Sequence, residues 1–220
     1  MNKQQRLDWM PRRIVADMAA ACGEDPNGDR EALVIAYQMS VGLSADGWAG
    51  VKTAQSLYGS GLPIARNRRE LTKQVGSFDW VRSGKGRRIK WTGAKPDVVR
   101  VELFNGDHAN IHRLFADEFA AAFELACDVS GYTPESVQSY NPRTIGKTDD
   151  LSMHALAVAF DADPTLNPWG GVILKGKQKG KPSMMRRFPL FHEVFEWLGW
   201  RWGGRWEGGK GDDMHCQRKS

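Results

Sequence analysis

Two short stretches of this chain hold the side-chain types that hydrolytic metal chemistry needs. The first runs Ser152-Met153-His154-Ala155-Leu156-Ala157-Val158-Ala159-Phe160-Asp161, and the second is Asp212-Asp213-Met214-His215. Two histidines and one carboxylate, His154, Asp161 and His215, make a three-ligand set for a catalytic Zn2+ whose fourth position stays open for water. Zinc lowers the pKa of that water towards ~7. A carboxylate that is not a ligand is then needed to carry its proton to the leaving amine. Asp212 lies three residues before His215, so one turn can hold both near the metal. Spacing alone leaves a second reading open, in which His154 and His215 are surface or hydrogen-bonded histidines with no metal. A regular strand puts residues seven apart on opposite faces. Since residues 156–162 (LAVAFDA) read as a strand, His154 must precede it on a bend.

The elements that position these residues read as α+β. Residues 110–129 predict an amphipathic helix with Ile111, Leu114, Phe115, Phe119, Phe123 and Leu125 available to the core. Residues 129–140 read as helix end, turn and strand, and 188–198 as a helix with Phe191, Val194, Phe195 and Leu198 on one face. Residues 61–97 are basic and irregular, a linker followed by a first strand. Ahead of them, helices are expected over 12–22, over 30–39 and from Val51, with a turn at 24–27 and a glycine-punctuated loop at 42–50. The domain boundaries are 1–60 for a small three-helix module and 62–220 for an α+β unit with a small antiparallel sheet and flanking helices.

The order Ser-x-His-x-x-Gly-x-Ala-x-Asp, then Asp-x-x-His, resembles the M15 family of zinc peptidases. Ser139-Tyr140-Asn141-Pro142-Arg143 is similar to that family's Tyr-Asn-x-Arg element, and Asn167-Pro168 to its Asn-Pro pair. Leu198-Gly-Trp-Arg-Trp-Gly-Gly-Arg-Trp206 is similar to the endolysin branch, which cuts the L-Ala–D-Glu bond of bacterial peptidoglycan. The resemblance implies that His154, Asp161 and His215 hold Zn2+, that Asp212 is the general base and that Arg143 polarises the scissile carbonyl. Asp213 stands where the family often has proline, so the base is chosen by the three-residue offset. Ala157 replaces the usual glycine, which matters if that backbone needs positive φ. In the N-terminal module, Ala36-Tyr37-Gln38, Gly42-Leu43, Asp46-Gly47, Gly50 and Thr53 resemble the three-helix peptidoglycan-binding domain. Ser152 and Trp202 in the peptidase, with Gln38 and Asp46 in the module, are the expected substrate contacts. The implied alternatives are a D-Ala-D-Ala carboxypeptidase of the same family and a non-catalytic cell-wall-binding protein.

Composition narrows the remaining classes. The 220 residues include 41% hydrophobic and 26% charged, ordinary for a globular protein, and no apolar run reaches the ~20 residues of a membrane span. A net charge of +5 favours anionic partners, but no nucleic-acid motif accompanies it. Cys22, Cys127 and Cys216 form no disulfide framework, and no signal peptide is read. The expectation is a monomer made in a bacterial host's cytoplasm, as phage endolysins are, whose partner is the peptidoglycan wall. Four further signals are discounted. His108 and His112 are read as a surface or capping pair at a helix start, and His192 as a helix-surface residue. Cys216 is read as structural, and the basic loop 175–187 as solvated or wall-contacting.

Overall fold

The computed structural model describes residues 2–84, 86–146, 148–206 and 211–219. It divides into two units, Met1–Leu62 and Pro63–Ser220. No described helix is long and apolar enough to cross a membrane.

The first unit contains α1 (Lys3–Trp9), α2 (Arg12–Cys22), α3 (Arg30–Ser40) and α4 (Val51–Tyr58). The three expected helices are present, with α1 ahead of them. Its start is a capping box, in which the Asn2 side chain accepts from Gln5 N–H and the Gln5 side chain accepts from Asn2 N–H. Asp29 caps α3 by accepting from Ala32 N–H at 2.8 Å. Ile14, Val15 and Met18 from α2 and Leu33, Val34 and Tyr37 from α3 are buried at helical spacing.

In the second unit the basic stretch is not a plain linker. Asn67 accepts from Glu70 N–H at 3.0 Å and starts α5 (Arg68–Val75), which buries Leu71 and Val75. Two hairpins follow, β1 (Trp80–Arg82) with β2 (Ile89–Trp91), and β3 (Val98–Glu102) with β4 (His108–His112). The expected helix over 110–129 therefore starts late. Residues 110–112 finish β4, where Ala109 and Ile111 alternate inward opposite Val101 and Val99. Nδ1 of buried His112 accepts from Leu114 N–H at 3.3 Å, a capping role at the end of a strand. One 3-10 turn then leads into α6 (Ala116–Ser130), whose Phe119, Ala122, Phe123 and Ala126 form a fully buried stripe.

The sheet that carries the site has the antiparallel order β5 (Val137–Gln138), β6 (Ala159–Ala162), β8 (His215–Arg218), β7 (Trp200–Trp202). Between β6 and β7 run α7 (Met184–Arg187) and α8 (Leu190–Trp197). One face of the sheet packs on α6 and α8. Phe160 of β6 lies 5.1 Å from Phe119 and 4.7 Å from Phe195 by ring centroids. The packing also buries an ion pair between Arg218 and Glu118, and Glu118 accepts from Trp200 Nε1–H at 2.7 Å. Burying two charges is costly, but leaving one without its partner costs more. Glu118→Ala is therefore expected to destabilise the second unit by about 3–5 kcal/mol, measured by urea unfolding.

Candidate metal centre and its cleft

The other face of the same sheet is chemical. In the β6–β8 register Asp161 stands directly opposite His215, and Phe160 opposite Cys216. Side chains alternate along a strand, so His215 and Gln217 face one way while Cys216 and Arg218 face the core. Cys216 is fully buried beside Phe160, which removes it from any ligand set on the opposite face.

His154 reaches that face from outside the strand. Ser152 caps a 3-10 turn over Met153–Leu156, accepting from His154 N–H at 3.3 Å. The turn ends at Ala157 in the left-handed region, with φ 56° and ψ 33°, and only then does β6 begin. The strand is accordingly shorter than residues 156–162, and the family's glycine is explained by the backbone it must adopt. Alanine there carries a steric cost that glycine avoids.

Three ligand-type atoms converge as a result. His154 Nε2 lies 3.1 Å from His215 Nδ1 and 3.2 Å from Asp161 Oδ1, and His215 Nδ1 lies 2.9 Å from Asp161 Oδ1. Tetrahedral Zn2+ with bonds of ~2.0–2.1 Å spaces its ligand atoms about 3.3–3.4 Å apart, so a small outward relaxation fits the ion. The outer nitrogens both face acceptors. His154 Nδ1 lies 2.6 Å from the Ser139 carbonyl, and His215 Nε2 lies 3.0 Å from Gln217 Oε1. With its proton on the outer nitrogen, each imidazole turns a lone pair inward, the arrangement that metal-binding histidines require. In that tautomer two lone pairs and a carboxylate converge, a donor set that could hold a metal ion; with the proton on the inner nitrogen the same contacts are hydrogen bonds to Asp161. Burial opposes the charge on Asp161, yet the histidine hydrogen bonds outweigh it and hold its pKa well below the usual range. Burial likewise opposes a charged His215, but its hydrogen bond to Asp161 raises its pKa. The Ser139–Arg143 motif is explained in part by this geometry, since Asn141 N–H also donates to the His154 carbonyl at 3.1 Å.

The adjacent aspartates separate completely. Asp213 is fully buried, accepting from the Ser183 hydroxyl and from Arg186 Nε and Nη2 at 2.6 and 2.9 Å. Asp212 lines the cleft beside His215, and its buried Oδ1 has no hydrogen-bond partner. Burial is the main cause that raises the Asp212 pKa; the His215 and His154 charges oppose it and Asp161 adds to it. The three-residue offset closes as a turn, with His215 N–H donating to the Asp212 carbonyl at 3.1 Å. Gly203 lies against this turn. A Cβ there would sit 2.6 Å from the Asp212 carbonyl oxygen, which explains one glycine of the tryptophan-rich motif.

A cleft of about 550 Å3 opens over Asp212, His215 and Ser152, walled by Ile145, Trp169 and Trp206 and by Arg68, Arg87 and Arg143. A smaller one of about 280 Å3 lies on the His154 and Asp161 side, and Arg143 lines both. Trp202 is not in either. It is buried, donates from Nε1 to the Asp213 carbonyl at 2.8 Å and stacks on His192 at 3.7 Å. Trp206, half-buried, lines the larger cleft instead. His192 is likewise buried rather than on the surface, because β7 covers that side of α8. In the basic loop, Arg186 is committed to Asp213, whereas Lys175, Lys177, Lys179 and Lys181 are exposed. Arg68, Arg87 and Trp169 are missed by the sequence reading, since nothing in the basic stretch 61–97 marks where its charges point.

The first unit has its own cleft of about 490 Å3, lined by Leu43, Ser44, Asp46, Trp48 and Lys52 among others. Gln38 is buried beneath it with its amide fully used. It donates to Asp46 Oδ1, the Trp48 carbonyl and Thr53 Oγ1, and accepts from Gly47 N–H at 3.0 Å. Gln38 thus shapes the loop, while Asp46 and Trp48 are exposed at the cleft.

Residues 146–218 match the profile of an M15 peptidase family described as D-alanyl-D-alanine carboxypeptidase. The matched segment contains His154, Asp161, Asp212 and His215, and it supports a peptidase of that family. No curated protein and no solved structure matches the chain significantly.

Two outcomes follow for metal-free protein, both read by urea unfolding. Asp213→Asn is expected to cost roughly 1–3 kcal/mol through its charged hydrogen bonds, while Asp212→Asn is neutral or slightly stabilising. Equal losses at the two positions would contradict the separation. Ala157→Gly is expected to stabilise by up to about 1 kcal/mol and Ala157→Val to destabilise by about 1–3 kcal/mol, because the left-handed backbone strains a branched side chain most.

Proposed function

We propose that the second unit is a zinc peptidase that hydrolyses the stem peptide of bacterial peptidoglycan at the L-Ala–D-Glu bond. The convergence of His154 Nε2, His215 Nδ1 and Asp161 Oδ1 beside an unpartnered Asp212 carries this reading. Those three atoms would hold Zn2+, which when bound supplies a Lewis acid and a water of lowered pKa. Asp212 takes a proton from the attacking water and returns it to the departing amine, a task suited to a carboxylate whose proton affinity burial has raised. Arg143 reaches both clefts and stabilises the negative charge that develops on the carbonyl oxygen. Ser152 positions His154 and presents a hydroxyl at the cleft wall, while Trp169 and Trp206 flank the peptide.

In this reading the first unit binds the wall through the cleft around Asp46 and Trp48. It raises the enzyme's local concentration on an insoluble polymer. Synthesis in a host cytoplasm followed by action on the wall makes the protein a phage-type endolysin. The description attached to the matching family supports a second reading of the same centre, a D-Ala-D-Ala carboxypeptidase.

Digestion of purified peptidoglycan with zinc-loaded protein, followed by mass spectrometry, decides between them. New N-terminal D-Glu, with Asp212→Ala lowering kcat by about 10²–10⁴-fold, is the expected result. Release of terminal D-Ala moves the protein to the carboxypeptidase reading. No cleavage of any wall type overturns the peptidase and leaves a wall-binding protein.

A further inference from the structure

The larger cleft carries more positive charge than bond cleavage requires. Arg68 enters it from the first turn of α5, and Arg87 from the loop between β1 and β2, both outside the segment that matches the peptidase family. Arg143 joins them from the loop after β5. Arg68 is half-buried and held in place by donating to the Leu151 carbonyl, which leaves guanidinium N–H groups to spare. Among the described residues no carboxylate forms an ion pair with any of the three, and Asp212 is the one acid in the cleft wall. Burial weakens the Arg143 charge and repulsion from Arg87 weakens it further, while Asp161 and Asp212 offset part of this. An anion bound between the guanidiniums removes that repulsion and gains charge-assisted hydrogen bonds.

We propose that Arg68 and Arg87, with Arg143, form a carboxylate subsite that holds the free α-carboxylate of the residue supplying the leaving amine. The inference rests on the peptidase reading and names what its substrate must carry. The chemistry is shared by both candidate bonds. In the stem peptide D-Glu continues through its γ-carboxyl, so its α-carboxylate is free beside the L-Ala–D-Glu bond. A terminal D-Ala likewise carries a free carboxylate beside the D-Ala–D-Ala bond. Amidation of that one group removes the charge and leaves the scissile bond intact.

The test uses the full-length zinc-loaded protein and three synthetic peptides. These are L-Ala-γ-D-Glu-L-Lys-D-Ala-D-Ala, the same peptide with D-isoglutamine at its second position, and the same peptide with a C-terminal amide. Wild type is expected to cut one bond, and amidating the carboxylate beside that bond to raise KM about 10-fold or more. The sensitive amide identifies which carboxylate the subsite reads. Arg87→Gln, which breaks no side-chain hydrogen bond among the described residues, is expected to raise KM about 10-fold for the free acid and less than about twofold for the amide. Arg68→Gln is expected to behave in the same way. Cleavage of acid and amide with equal KM, or an Arg87→Gln penalty equal on both, overturns the subsite while the peptidase stands. Cleavage of none of the peptides and of no intact wall overturns the peptidase reading and the subsite with it.

Discussion

Asp161 and His215 face each other across antiparallel strands β6 and β8, and the rest of the second unit is arranged around that pair. Directly opposite residues bring their Cβ atoms to about 4.5–5.5 Å, so strand pairing itself places a carboxylate and an imidazole at metal-sharing range. A slip of either strand by one residue would turn that strand over, sending Asp161 or His215 into the aromatic core and bringing Phe160 or Cys216 out. The packing of Phe160 against Phe119 and Phe195 therefore does more than stabilise the sheet, because it locks the register on which the site depends. The buried Arg218–Glu118 pair acts on the same strand, one residue after Gln217, whose side chain shares the site face with His215 and lies 3.0 Å from its Nε2.

His154, the third side chain of the candidate set, shows what the chain gives up to complete it. His154 can reach the centre because Ser152 starts a turn and Ala157 ends it in a conformation alanine resists. Strain held at a functional bend has to be overdetermined by its surroundings. Here the His112 N–H donates to the Ala157 carbonyl at 2.8 Å and the Ser139 carbonyl fixes the His154 ring. Ser152, His154 and Asp161 are hydrogen-bonded around the centre, whereas Asp212 Oδ1 has no partner among the described residues. An unpartnered buried carboxylate oxygen beside three ligand atoms is costly for a structure alone and useful for moving a proton.

Much of this was legible in the sequence, in unequal measure. Helices with one apolar stripe, such as Arg12–Cys22 and Arg30–Ser40, follow directly from their spacing. The bend before β6 follows from the seven-residue offset, which a strand alone cannot satisfy. What the sequence left obscure depends on long-range neighbours. Ile111 fits a helical stripe and a strand equally well, and only pairing with Val99 decides for the strand. His192 looks like a surface residue until β7 covers it and Trp202 stacks on it. The two aspartates differ by Ser183 and Arg186, about thirty residues upstream, which claim Asp213 alone. Arg68 and Arg87 read as linker charge because the turn of α5 and the β1–β2 loop aim them only in three dimensions.

His154, Asp161 and His215 are proposed to form a zinc site. The most direct test is zinc content after exhaustive dialysis, combined with X-ray absorption at the zinc edge. About one zinc per chain is expected, with nitrogen and oxygen neighbours at ~2.0–2.1 Å, no sulfur, and loss of the metal in His215→Ala. A protein that retains no zinc, or one whose zinc has a sulfur neighbour at ~2.3 Å from Cys216, would contradict it.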